Sequence, residues 1–230
     1  MARLPRLYAP DLPNLAQARF TVPLSASSDG NALLDHVAAW LAADARQYGV
    51  AVHGWALTFD QLLLLATPAG PTGLSGLIQS LGRRLAARLQ VGRVFAGRFR
   101  STLVEPGAWV LPSLIWLETA PVRQGLAGDA EHWRWSSAAA HMGAAPASLL
   151  HDHADYWACG NTPFDRQASY RAMVLDGLPA ASVARIEQAL HGQWALGSPA
   201  FVQGLEGTSS RRPVAARRGR PRKTASPIGE

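Results

Sequence analysis

The chain has 230 residues, 48% of them hydrophobic and eight of them tryptophan, enough to bury one sizeable domain with appendages or two small ones. No apolar run approaches the roughly 18 to 20 residues of a membrane span, and prolines interrupt the N-terminus where a signal peptide would be apolar, so the expected setting is the cytoplasm. The single cysteine, Cys159, excludes an internal disulfide and is expected to be a buried thiol.

The net charge of +6 is unevenly placed. From Thr208 onward there are seven basic residues and one acid, Glu230; removing these from the 22 basic and 16 acidic residues leaves 15 of each in the body. The whole excess sits in the C-terminal tail, a pattern that points to a polyanionic partner.

In chain order, residues 1–16 read as an irregular, proline-rich lead-in and residues 18–24 as a first strand. Asn31 reads as the cap of a helix over residues 32–48, with Leu34, Val37, Leu41 and Ala45 in helical step and Gly49 as its stop. Residues 50–58 and 61–67 read as two strands joined by a tight turn at Phe59 and Asp60, the second apolar enough to lie inside a sheet. Leu74, Leu77, Ile78, Leu81, Leu85 and Leu89 then mark one stripe of a second helix. A fourth strand is expected over residues 97–105, where Arg98, Arg100 and Thr102 alternate with Phe99, Ser101 and Leu103. Strand, helix, strand, strand, helix, strand is the order of a ferredoxin-like unit, an α+β fold with two helices on one face of an antiparallel sheet.

Beyond Pro106 the pattern turns helical, with segments expected at 109–118, 149–160, 162–175, 181–191 and 197–205; Ser136 and the Thr162-Pro163 pair read as helix starts. The expected organisation is a domain over 1–135, a helical region over 136–207 and a basic tail without fixed structure over 208–230.

The stretch 74–105 carries six arginines, Arg83, Arg84, Arg88, Arg93, Arg98 and Arg100, against one acid. A planar fork of donors suits phosphate oxygens, so these six are the candidate nucleic-acid contacts; the plainer alternative is a solvated helix face.

The segments GVAVHGWALTFDQLLLLATP, LGRRLAARLQ, GRFRSTLVE, WLETAPVRQGL and HWRWSS, in that order, resemble the REP-associated tyrosine transposases, relatives of the single-tyrosine HUH transposases. The likeness runs from LPRLY near the N-terminus to RRGRPRK in the tail. It implies a ferredoxin-like domain that binds single-stranded or hairpin DNA, a histidine pair holding Mg or Mn, and a helix-borne tyrosine that attacks a DNA phosphate. A cytoplasmic, nucleoid-associated bacterial protein, with a homodimer as one compatible assembly, is the corresponding expectation.

At the reactive positions the chain departs from that family. The histidine pair aligns with Gln61 and Leu63, and the tyrosine region with Leu85 and Leu89; no tyrosine occurs between Gly49 and Asp155. An amide is a weak ligand for a hard cation and leucine is none. Ala120 replaces the asparagine before Pro121-Val122-Arg123. The expectation is therefore a DNA-binding copy with no catalytic residues and no metal, unable to cleave.

Two rivals stand beside it: an active transposase using Tyr156 or Tyr170 as relocated nucleophile, and a helical protein-interaction module. His151, Asp152 and His153 repeat a His-x-His spacing near Cys159, for which capping or surface roles are the ordinary alternative to a metal. His53 and Trp55 read as sheet residues. In the tail, Arg217 to Lys223 contains an Arg-Gly-Arg-Pro core like an AT-hook, so Arg218 and Arg220 are candidate minor-groove contacts, the alternative being unselective phosphate binding.

Overall fold

The structure is a computed structural model that describes residues 5–214. Its centre is a four-stranded sheet of β1 (Asn14–Arg19), β2 (Val50–Leu57), β3 (Gln61–Pro68) and β4 (Arg100–Leu103), ordered β2-β3-β1-β4 with every neighbouring pair antiparallel. Helix α1 (Gly30–Gln47) joins β1 to β2 and helix α2 (Gly73–Leu89) joins β3 to β4. The turn between β2 and β3 closes with Thr58 N–H on the Gln61 carbonyl at 2.9 Å, and the Thr58 hydroxyl donates to Asp60 at 2.5 Å.

Alternate strand positions face opposite ways, and here both faces are buried. Ala16, Ala18, Val52, Leu62, Leu64 and Ala66 pack under α1 and α2, whose Leu34, Val37, Leu41, Leu77, Leu81 and Leu85 supply the other side. Leu15, Ala56, Leu63 and Leu65 pack the opposite way, under α3 (Val110–Glu118) and the C-terminal helices. Fully burying each such leucine contributes on the order of 2 kcal/mol. This two-sided burial explains the unbroken apolar run of β3, which a sheet wetted on one face would not need.

After α3 come α4 (Ala120–Arg123), α5 (Ala138–His141), α6 (Ala154–Trp157), α7 (Pro163–Asp176), α8 (Ala180–Gly192) and α9 (Pro199–Gly204). The Thr162 hydroxyl caps α7 by accepting from Asp165 N–H at 3.1 Å. Loops cover both sheet edges, as exposed edges invite foreign strands. Along β2, Leu57 N–H bonds Trp135 O, Ser137 N–H bonds Trp55 O and His151 N–H bonds Val52 O; along β4, Leu196 N–H bonds Leu103 O.

Several boundaries differ from the sequence expectation. The first strand is Asn14–Arg19, not 18–24: its alanines carry little strand signal, while Phe20 and Thr21 only bridge to Phe95 and Val94 before Pro23 and the 3-10 turn Leu24–Ala26. Asp29, not Asn31, precedes α1. The fourth strand spans only Arg100–Leu103, which leaves Arg98 in the preceding loop. Of residues 149–160 only Ala154–Trp157 is helical, because the stretch before it lies along the β2 edge. Cys159 is half-buried rather than enclosed, its thiol donating to the Asp155 carbonyl. Among the described residues no helix is long and apolar enough to cross a membrane.

Candidate nucleic-acid interface

The arginines of the 74–105 stretch do not form one surface. Helix α2 buries Leu74, Leu77, Ile78, Leu81 and Leu85, which turns Arg83 and Arg88 outward. Gln90 ends the helix in the left-handed conformation, φ 55°, and throws residues 91–99 back along it. Gly82 permits that return: a Cβ there would lie 3.0 Å from the Phe95 ring. Phe95 in turn stacks on Phe20 with centroids 5.4 Å apart. Between α2 and the returning loop lies a cleft of about 760 Å³, its lining including Arg6, Arg83, Arg93 and Arg98 over a floor of Ile78, Ala86, Phe95 and Phe99. None of the described residues lining it is acidic.

Arg6 is the member that the candidate set lacked. Its guanidinium lies 3.5 Å above the Phe99 ring, its Nη1 donates to the Ser75 hydroxyl at 3.3 Å, and its buried Nε has no hydrogen-bond partner. Burial, followed by the nearby charge of Arg98, pushes its pKa down to about 10, so it remains a cation at neutral pH. Some seventy residues separate Arg6 from the rest of the cleft. The signal available in sequence was its place inside LPRLY, one of the matched segments.

The remaining arginines serve elsewhere. Arg84 lies 3.1 Å from the fully buried Asp44 of α1 and joins the two helices. Arg88 stands exposed in the last turn of α2. Arg100 faces the other side of the sheet, in a shallow pocket of about 230 Å³ with Gln17, Arg19, Trp116, Glu187 and His191. Arg83, Arg88 and Arg93 have no carboxylate partner among the described residues. Arg218 and Arg220 lie outside the described residues.

Gln61 opens β3, is 6% exposed, and its Oε1 accepts from Gln17 Nε2 at 2.6 Å. Leu63, on the same side of the strand, is fully buried under the C-terminal helices. Leu85 is buried, and Leu89 half-buried, on the α1–α2 side. Leu63 therefore packs on one face of the sheet, and Leu85 and Leu89 on the other.

The other titratable candidates are inside the fold. Tyr170, wholly buried, donates to Glu118 Oε2 at 2.7 Å; His141 Nδ1 lies 2.6 Å from Glu118 Oε1, which also accepts from Ser137. Tyr156 donates to the His141 carbonyl at 2.8 Å. Burial raises the Tyr156 phenol to about 12 and drives that of Tyr170 well above the ordinary value, so neither forms a phenolate near neutral pH. His53 lies between the His151 carbonyl at 2.6 Å and the Thr67 hydroxyl at 2.8 Å, and its ring meets His153 edge-on. His153 caps α6. Among the described residues no three His, Cys, Asp or Glu side chains are placed to hold a metal.

No protein-family profile matches the chain, and no curated protein does. A solved structure does: a REP-associated tyrosine transposase bound to a REP hairpin, superposing with a TM-score of 0.52 over 66% of this chain and 93% of the other, at 14% sequence identity. At that identity the likeness concerns the fold, and this chain has the α+β fold, around a four-stranded antiparallel sheet, seen in that transposase.

Proposed function

We propose that this chain is a DNA-binding protein built on a transposase-like, ferredoxin-like scaffold, which holds hairpin or single-stranded DNA and does not cleave it. The observation that carries the proposal is the arginine-rimmed cleft between α2 and the 91–99 loop, in a fold shared with a protein captured on a DNA hairpin. The β2-β3-β1-β4 order with α1 and α2 together on one face supports the ferredoxin-like description. Arg6, Arg83, Arg93 and Arg98 bind phosphates, while Phe95 and Phe99 give the cleft an apolar floor. Arg84 acts mainly through Asp44, and Arg100 contacts DNA only if the strand reaches the far face. Arg218 and Arg220 of the tail add minor-groove contacts. Loss of cleavage follows from residue identity, since Gln61, Leu63, Leu85 and Leu89 offer neither metal ligands nor a nucleophile. A cytoplasmic, nucleoid-associated location belongs to this reading, and a homodimer is compatible with it.

The test is binding of a labelled DNA hairpin across a salt series. Each neutralised phosphate lowers the slope of log K against log salt by about 0.7 to 0.9, so affinity should drop steeply between low and moderate salt; a flat profile would sink the proposal. Incubating the same hairpin with Mg or Mn tests cleavage. Nicked product that disappears on Tyr156→Phe or Tyr170→Phe would instead establish the active-transposase reading, against which the burial of both phenols already weighs.

A further inference from the structure

The Glu118 network leaves one polar atom over. His141 turns Nδ1 to Glu118 Oε1 at 2.6 Å, and its Nε2, on the other edge of the ring, is buried with no hydrogen-bond partner among the described residues. A second cationic group nearby is also short of partners. Arg166 of α7 is 6% exposed, lies 3.8 Å over the Trp157 ring and donates to the Gly160 carbonyl at 3.1 Å. Among the described residues no carboxylate is within ion-pair distance of it. Burying a cation without a counter-charge is unfavourable, and buried donors are ordinarily bonded.

Both groups line one cavity of about 100 Å³, bordered by α5, α6 and α7 on the α3 side of the sheet, with Asp152, Tyr156, Pro163 and Gln167 among its other walls. That space exceeds what one water needs several times over, yet it is well below the roughly 300 Å³ at which drug-sized pockets begin. Burial opposes charge on His141, but the charge and hydrogen bond of Glu118 outweigh it and raise the pKa. The imidazolium, with a proton on Nε2, therefore persists above the pH at which an ordinary histidine loses it. Two charged donors thus meet at a space sized for a small anion, and Asp152 is the one opposing charge in its walls.

We propose that this cavity is an oxyanion site that takes a phosphate group between His141 Nε2 and the Arg166 guanidinium. The bound group ties α5 to α7 from the edge of His141 that Glu118 does not reach, through charge-assisted hydrogen bonds. Asp152 limits the affinity by repelling the anion. The phosphate is either the free inorganic ion or the terminal group of a nucleic-acid strand; the cavity is too small for an internal nucleotide. The site is separate from the α2 cleft and stands whether or not that cleft binds DNA.

The test titrates inorganic phosphate into the full-length chain at constant ionic strength, following the histidine ring nitrogens by NMR and affinity by calorimetry. The His141 Nε2 resonance is expected to move and saturate. Arg166→Gln should weaken phosphate about tenfold or more, the effect of losing one charged hydrogen bond. Asp152→Asn removes a like charge and should strengthen it roughly threefold, a gain that a misfolded chain does not produce. Arg83→Ala/Arg93→Ala should leave phosphate affinity unchanged. A hairpin carrying a 5′-phosphate identifies the source: binding about tenfold tighter than its 5′-hydroxyl form, with the same His141 shift, assigns a strand end, and equal binding of the two hairpins assigns the free ion. The site is overturned if neither inorganic phosphate nor the phosphorylated hairpin moves the His141 resonance, or if Arg166→Gln and Asp152→Asn both bind the phosphate probe as the native chain does.

Discussion

On the α2 side of the sheet, Arg83, Arg88 and Arg93 stand in solvent with no carboxylate partner among the described residues. On the α3 side, Glu118, Ser137, His141 and Tyr170 are at most 1% exposed and meet at the Glu118 carboxylate, with only His141 Nε2 of the group buried without a partner among the described residues. An exposed cation without a partner has little stability role, because a surface charge contributes little to folding; its free donors are available to a ligand. A buried carboxylate with three partners binds nothing from outside and holds four elements together: α3, the Ser137 end of the β2 edge strap, α5 and α7. The two sides thus separate recognition from cohesion, and substitutions should separate them too.

The largest effect is expected on the cohesive side. Glu118→Ala leaves His141 without its counter-charge and Tyr170 without its acceptor, and breaking a buried pair from one end costs about 3 to 5 kcal/mol. Urea unfolding should show that loss, while the folded fraction keeps its hairpin affinity. The pair also carries a pH signature. Burial opposes a charged His141, but the charge and hydrogen bond of Glu118 outweigh it and the pKa is raised. A raised histidine stabilises fully below its unfolded value of about 6.5, and that contribution disappears as pH climbs through the folded pKa. Glu118→Gln should flatten this alkaline limb.

His53 titrates in the opposite sense, which sharpens the comparison within the same face. Burial, only partly offset by the His151 carbonyl, pushes its pKa down to about 4. The unfolded chain therefore takes up the proton first, and stability falls as pH drops from about 6.5 through 4, by roughly 3 kcal/mol for a shift of this size. Comparing native and His53→Gln chains at pH 7 and pH 4 isolates this contribution. Equal acid loss in both would remove His53 as the cause.

On the recognition side, Arg83→Ala/Arg93→Ala should leave the unfolding midpoint within about 0.5 kcal/mol of native while weakening hairpin binding and reducing the salt slope by about 1.4 to 1.8, two phosphates' worth. An unchanged slope would place the DNA elsewhere.

These contrasts were unequally legible in the sequence. Helical spacing in α1 and α2, the β2–β3 turn and the Thr162-Pro163 cap are local signals, and each element appears within a few residues of its expected place. The first strand was misplaced because Ala16 and Ala18 are chosen by close packing under α1 and α2, which no local propensity records. The six arginines were visible as a group, but their division among cleft, helix pair and far face depends on the left-handed Gln90 and on the late start of β4. Arg6 joins the cleft through contacts some seventy residues distant, and the Glu118 network spans up to 52 positions; neither leaves a trace in spacing.

The finest test lies between neighbours. Arg83 and Arg84 are adjacent on the exposed side of α2, yet Arg83 lines the cleft and Arg84 lies 3.1 Å from Asp44, a carboxylate with no exposed surface and no oriented hydrogen bond among the described residues. Arg84 is itself 40% exposed, so water screens part of the attraction, and the loss on Arg84→Ala should be about 1 to 2 kcal/mol, below the cost of breaking a fully enclosed pair. Arg83→Ala should be near neutral for folding. In hairpin binding the order inverts: Arg83→Ala removes a phosphate contact and about 0.7 to 0.9 of salt slope, whereas Arg84→Ala leaves that slope intact. Were both substitutions to weaken DNA equally and spare stability, Asp44 would be held by the packing of α1 alone, and the ion pair would no longer distinguish the two arginines.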